Sequence, residues 1–257
     1  MVQALQKWPS HLWLVRHGQS AGNVARDAAE AAGLPMIDIA GRDVDVPLSA
    51  LGERQARALG RWFAALPEKH RPTVLMSSPY VRAVQTSNLI VEHAGLAEGT
   101  LIHVIDERLR EKEFGSFNRL TKAGIEAQFP QEAQLRAHIG KFYYRPPGGE
   151  SWCDVILRLR SVLDQIQLQH PGECVLVVAH QVIILAFRYL LERMTEAQIL
   201  AIDREKDVAN CSVTGYAPHD AASPRSGMQL RMYNFVAPLE QAGEPVTKRP
   251  DAPAGPR

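Results

Sequence analysis

Short, nearly continuous apolar runs alternate along this chain with longer stretches of helical spacing. The runs are LWLV (12–15), TVLMSS (73–78), LIHVI (101–105) and ECVLVVA (173–179), the pattern of strands buried on both faces. Between the first two, Ser49 is placed to cap a helix in which Leu51, Gln55, Leu59 and Phe63 recur at helical spacing. Residues 80–95 predict a helix stopped by Gly95, and 120–145 a polar helical stretch ending at the break RPPGGES. Residues 151–170 form a strongly amphipathic helix, and VIILAFRYLLE follows the fourth apolar run directly. A last strand is expected near 210–216, pairing with 228–235. This alternation predicts one α/β domain of three layers, α/β/α, with a mostly parallel central sheet. The domain is expected over 1–240, with a proline-rich tail at 241–257 expected to be disordered.

Composition narrows the partners. The chain has 257 residues, 46% hydrophobic and 22% charged, and 29 basic against 28 acidic residues leave a net charge of +1. With no long block of one sign, an extended nucleic-acid face is not expected, although a local anion pocket fits such a balance. No apolar stretch reaches membrane-spanning length, so no membrane association is expected. The N-terminus lacks a signal-peptide pattern, and Cys153, Cys174 and Cys211 make neither a disulfide framework nor a CxxC metal pattern. A cytoplasmic protein with reduced thiols is expected.

The charged residues then fall in telling places. The runs 12–15 and 173–179 lead to His17 and His180, and 73–78 leads through Ser78–Pro79 to Arg82. The run 101–105 leads to a loop holding Glu107, Glu111 and Glu113. In a parallel open sheet the carboxyl ends of the strands share one edge, where ligands bind. His17, Arg16 beside it, Arg82, His180 and an acid are therefore expected at one edge.

Two guanidiniums offer planar forks for phosphate oxygens. A neutral imidazole between them keeps a lone pair with which to attack phosphorus. The arginines and second histidine stabilise the equatorial oxygens in the transition state, and the acid protonates the departing oxygen. The set suffices for phosphoryl transfer through a phosphohistidine. Taken singly, each residue has an ordinary explanation: an Arg-His-Gly triplet is a weak signal, and Arg82 alone fits a solvated helix. His11, His70, His93, His103, His138, His170 and His219 are read as satisfied polar residues. Joint placement carries the argument.

These segments resemble the histidine phosphatase superfamily, also called phosphoglycerate mutase-like, in its phosphatase-like branch. LVRHGQSAGN resembles the phosphohistidine signature, DVPLSALGERQARALG (45–60) the Pro-Leu-Ser/Thr segment, and SSPYVRAVQTSNLI (77–90) the second arginine motif. LREKEFGSF (109–117), PPGGES (146–151), VLVVAH (175–180) and NCSVTGY (210–216) follow in the family's order. The resemblance implies His17 as nucleophile, with Arg16, Arg82 and His180 around the phosphate and Asn23 as a phosphate contact. Gln19 and Ser20 of the signature and Gln181 after the second histidine are carried as further phosphate-side residues. Glu111 falls on the acid position, with Glu113 its local rival and Glu107 too close to the strand end.

Gln181 stands where many relatives have glycine, so it either shapes the pocket floor or points away. Residues 24–44 exceed the length found in compact relatives and read either as a helix over the site or as a homodimer contact. Lys141, Tyr143 and Arg145 precede a Pro-Pro turn and read either as substrate contacts or as a solvated helix end. The stretch AHIGKFYYRPPGGES lacks the paired arginines of the glycolytic mutases, which favours a phosphatase acting on a small phosphorylated substrate. A 2,3-bisphosphoglycerate-dependent phosphoglycerate mutase is the second reading, and a non-catalytic phospholigand-binding protein the third. No HExxH, cysteine cluster or carboxylate set at ligand spacing occurs, so no metal and no other cofactor is expected.

Overall fold

Side chains along a strand alternate between faces, and here both faces are apolar. In the computed structural model, which describes residues 8–96, 99, 101–219 and 227–248, β1 (His11–Arg16), β2 (Val74–Ser77) and β4 (Cys174–Ala179) form the sheet centre. Leu12, Leu14, Val74, Met76, Val175 and Val177 pack on one face against α6 (Trp152–Gln169) and α7 (Gln181–Leu191). Trp13, Val15, Leu75, Leu176 and Val178 pack on the other against α2 (Ala50–Ala65) and α3 (Val81–Ala94). The three layers follow directly from the double-sided apolar runs.

With β3 (Ile102–Ile105), β5 (Val213–Pro218) and β6 (Met228–Phe235), the strand order is β3-β2-β4-β1-β5-β6. The first four strands are parallel, while β5 runs antiparallel to β1 and pairs with β6. Antiparallel β5 therefore starts at the edge where β1 ends, bringing the preceding loop under the site. Ser49 caps α2 by accepting from Gly52 N at 3.1 Å, a contact worth about 1 kcal/mol. Gly95 ends α3 in the left-handed conformation at φ 62°.

Several segments differ from the sequence expectation. Residues 24–31 complete a helix, α1 (Ala21–Ala31), and the following residues form a strap ending in a single 3-10 turn, Asp43–Asp45. Residues 120–145 hold two short helices, α4 (Lys122–Gln128) and α5 (Pro130–Ile139), because Phe129 precedes a proline and breaks the run. A further helix, α8 (Glu196–Glu205), begins at a capping box of Thr195 and Gln198. Of the expected tail, Gln241 ends α9 (Ala237–Gln241) and residues 242–248 dock on the body, where Gln55 Nε2 donates to Pro245 O at 2.8 Å. Residues 249–257 lie outside the described residues. Among the described residues no helix is long and apolar enough to cross a membrane.

Candidate active site

His17 continues the β1–β4 ladder by one residue, its N donating to Ala179 O at 2.9 Å. The loop after it turns tightly against α2. A Cβ on Gly18 would stand 2.5 Å from Gly52 O, and one on Gly52 would stand 2.0 Å from Gln19 O. Only glycines permit that approach. Gly18 N donates to Thr86 Oγ1 of α3 at 3.0 Å, which fixes the loop from a second side.

The His17 ring is fully buried, with Nδ1 2.6 Å from Gly18 O. A carbonyl accepts only, so Nδ1 carries the proton and Nε2 keeps its lone pair. Arg82 Nε donates to that Nε2 at 3.2 Å. The His180 ring stands edge-on to His17 with centroids 5.1 Å apart, and its Nε2 is 2.8 Å from Ser78 Oγ. His180 is the N-cap residue of α7, where the helix presents its positive end to an anion. Arg16 is fully buried and donates to Val208 O.

Asn23 sits in the first turn of α1. Its Oδ1 accepts from Ser20 N at 2.9 Å and from Ser20 Oγ at 3.0 Å, leaving its amide NH₂ as the donor end. The structure thus brings Arg16, His17, Arg82 and His180 together, with Asn23 behind the nucleophile loop. Ser20 is spent as the cap of α1, accepting from Asn23 N at 3.1 Å. Gln19 pins the loop to α2, its Oε1 accepting from Ser49 Oγ at 2.7 Å and its N donating to Gln55 Oε1 at 2.9 Å. Gln181 turns to the 206–210 loop and donates to Asp207 Oδ1 at 3.0 Å. Lys141 pairs with Asp203 of α8, and Arg145 with Asp154 in the first turn of α6. Of their two readings, substrate contact or solvated helix end, the contacts seen are ones that hold helices.

Glu111 is 1% exposed, and its Oε1 accepts from Lys112 N at 2.7 Å. Glu113, its rival, accepts from Gly115 N at 3.0 Å and shapes the turn. Gly115 has φ 55°, and a Cβ there would stand 2.1 Å from Pro147 O, so the acid loop lies flat on the Pro-Pro turn. Glu150 locks the two together. It accepts from Glu113 N at 3.0 Å, from Arg110 at 2.7 Å and from both ends of the Arg158 fork at 3.0 Å. Burial pushes the Glu150 carboxyl up, but the Arg158 hydrogen bonds and charge, the bond from Glu113 N and the Arg110 charge together outweigh it and hold the group below the ordinary carboxylate range. Beside it, burial pushes the Lys112 ammonium down to about 8, against the pull of Glu111 and Glu150.

Three contributors escaped the sequence reading. Asn210 Nδ2 donates to His17 O at 3.0 Å, and Asn210 Oδ1 accepts from Thr247 Oγ1 at 2.8 Å. Asp43, on the strap, takes the outer fork of Arg82: Nη1 donates to Oδ1 at 3.0 Å and Nη2 to Oδ2 at 3.1 Å. Tyr80 lies between the histidine and arginine sides, its ring 5.0 Å from that of His180 and 4.8 Å from the Arg82 guanidinium carbon. The segment RDVDVPLS held Asp43 in plain view, but nothing in its spacing pointed to an arginine 39 residues away.

A profile of the histidine phosphatase superfamily (branch 1) matches residues 12–223. The chain belongs to that superfamily, and its sheet and helices form the phosphoglycerate mutase-like fold. A 2,3-bisphosphoglycerate-dependent phosphoglycerate mutase of Methylobacterium radiotolerans is 32% identical over 194 residues, 73% of this chain and 82% of the relative. The phosphoglycerate mutase-like protein AT74H of Arabidopsis thaliana is 28% identical over 229 residues, 82% of this chain and 75% of that one. Among solved structures, a mycobacterial glucosyl-3-phosphoglycerate phosphatase in complex with VO3 superposes with a TM-score of 0.65 at 29% identity, covering 88% of this chain and 100% of that one.

Proposed function

We propose that this enzyme is a phosphomonoester hydrolase acting through a phosphohistidine on a small phosphorylated metabolite. The observation that carries the proposal is the state of His17: Nδ1 is held by Gly18 O at 2.6 Å, so Nε2 presents its lone pair beside the Arg82 guanidinium. His17 Nε2 attacks phosphorus as the P–O bond to the leaving group breaks. The departing oxygen takes its proton from Glu111. Arg16, Arg82 and His180 meet the charge spreading over the equatorial oxygens. Water then attacks the phosphohistidine and gives its proton to the Glu111 carboxylate, releasing phosphate and restoring His17.

Hydrolysis rather than mutase chemistry is favoured because Lys141 and Arg145 are held by Asp203 and Asp154. A mutase must retain a bisphosphorylated intermediate, which calls for spare cations beside the first phosphate. The name of the mycobacterial structural neighbour points the same way, while the Methylobacterium relative's name keeps the mutase as the second reading.

Inorganic phosphate release from a metabolite panel in EDTA, with and without 2,3-bisphosphoglycerate, tests the proposal. Steady release without the bisphosphate is expected. Isomerisation of phosphoglycerate that requires the bisphosphate overturns it in favour of the mutase, and activity lost in EDTA and restored by metal overturns the metal-free mechanism.

A further inference from the structure

The pairing of β6 with β5 is irregular beside the site. Phe235 pairs with Val213 and Met232 with Gly215, so Tyr233 and Asn234 together stand opposite Thr214, a bulge of one extra residue. Asn234 lies there in the left-handed region at φ 51°, which asparagine enters more readily than most residues with a Cβ. Its N donates to the Thr214 hydroxyl at 3.3 Å. The buried side chain meets the loop between α8 and β5. Oδ1 accepts from Ala209 N at 2.8 Å, and Nδ2 donates to Asp207 O at 3.0 Å. A backbone N–H only donates and a carbonyl only accepts, so the amide has a single orientation. It closes both ends of residues 207–209.

That short segment touches the phosphate side of the site. Val208 O, at its centre, accepts from Nη1 of the fully buried Arg16. Asp207 Oδ1 accepts from Gln181, the residue after His180. Just beyond the segment, Asn210 Nδ2 and Cys211 N donate to His17 O at 3.0 and 3.3 Å. A guanidinium is planar and rigid, so a carbonyl that holds one nitrogen also restricts the directions of the others. Arg16 therefore aims its remaining donors as the position of Val208 O allows, and the Asn234 amide sets that position.

We propose that Asn234 is a positioning residue for phosphoryl transfer, setting the Arg16 guanidinium through Val208 O rather than by contact with substrate. The proposal rests on the phosphohistidine reading above, in which Arg16 meets the phosphoryl oxygens. A side chain at positive φ and a shifted register both cost stability, and such costs persist where a site uses the geometry they give. Here they place one amide against the two backbone groups that flank the arginine's acceptor.

The test uses two substitutions. Asn234→Gly removes the amide and accepts φ 51° without strain. Asn234→Asp keeps the size and the acceptor for Ala209 N but sets a carboxylate oxygen against Asp207 O. Affinity for inorganic phosphate and for orthovanadate is measured by titration calorimetry, and kcat/KM for p-nitrophenyl phosphate and glycerol 3-phosphate. Each variant is also made with Arg16→Met, whose stem fills similar space without donors.

Asn234→Gly is expected to weaken phosphate binding by about tenfold and to lower kcat/KM by a similar factor for both esters, because the misplaced group serves the phosphoryl side. Beside Arg16→Met the further loss should shrink below about twofold, since the residue being oriented is gone. Should Asn234→Gly fail to fold, Asn234→Asp carries the same comparison. A loss of equal factor in both backgrounds, or a lowered Tm with phosphate affinity and kcat/KM unchanged, overturns the proposal alone. A wild type that binds phosphate yet hydrolyses neither ester overturns the hydrolase reading, while the phosphate titrations still decide the role of Asn234.

Discussion

Arg82 Nε donates to His17 Nε2 at 3.2 Å, while Gly18 O holds the opposite ring nitrogen at 2.6 Å. The Nε2 lone pair therefore accepts from the arginine here, a hydrogen bond that must give way before the nitrogen can bond to phosphorus. The arginine's charge and the lone pair are arranged before any substrate arrives, the preorganisation on which electrostatic catalysis depends.

His17→Ala is expected to abolish acid-labile labelling from a phosphorylated substrate and to lower kcat/KM by about a thousandfold or more. His180→Ala should be slow yet still labelled, because its ring is set by Ser78 and not in line as the nucleophile. Label that persists without His17 would end the phosphohistidine mechanism.

Glu111→Gln keeps size and polarity but removes the transferable proton. An alkyl phosphate, whose alkoxide leaves poorly, should lose about a hundredfold or more in kcat/KM, and p-nitrophenyl phosphate only a few-fold. Turnover should fall for both, since water attack loses its base. Glu113→Gln, whose carboxylate holds the Gly115 turn, should show no such leaving-group dependence. The reverse pattern would move the acid to Glu113.

Asn210→Ala removes the donor to His17 O and strands the Thr247 hydroxyl. Loss of a buried hydrogen-bonded amide costs about 1–3 kcal/mol, so a fall of roughly 5 °C in Tm is expected for a chain of this size. Thermal melts with a parallel activity assay check it. An unchanged Tm would mean that the loop before β5 does not support the nucleophile.

Lys112 links stability to pH. Its pKa falls from 10.5 in an exposed lysine to about 8 when buried. Between those values the unfolded chain binds the proton and the folded one does not, so stability rises with pH across the window from about 8 to 10.5. The gain is about 3 kcal/mol at the upper end. Denaturant unfolding at pH 7.5, 9 and 10.5 should show this rise in the wild type and a flatter profile in Lys112→Met. Parallel profiles would assign the rise to other groups.

Arg145→Ala breaks an exposed pair with Asp154, in which the arginine side chain is 62% accessible. The cost in stability should stay below about 1 kcal/mol, and the ranking of substrates should not change. A reordered ranking in the substrate panel would return Arg145 to the leaving-group side.

How much of this was legible depended on whether a residue's role was set locally. His17 and His180 end apolar runs, and Arg82 follows a Ser-Pro break, so sheet geometry alone placed them at one edge. The partners of Ser20, Gln19 and Gln181 were not legible, because a polar side chain beside a site has backbone and neighbours to satisfy first. Lys141 and Arg145 looked available only because their carboxylates, Asp203 of α8 and Asp154 of α6, are brought to them by folding. Asp43 and Asn210 were beyond reach: the first sits in a segment without periodicity, and the second meets His17 across 193 residues.

The bonds from Gln55 to Pro245 and from Thr247 to Asn210 give the site a schedule as well as a shape. His17 leaves the ribosome before its supports at 210 and 245–247, which follow every other part of the site. During synthesis the nucleophile loop therefore exists without its backing until the chain has been made through Thr247. A nascent chain stalled before that point holds both histidines and both arginines yet lacks the Thr247 bond behind Asn210, so the backing of the His17 loop is the last part of the site to be completed.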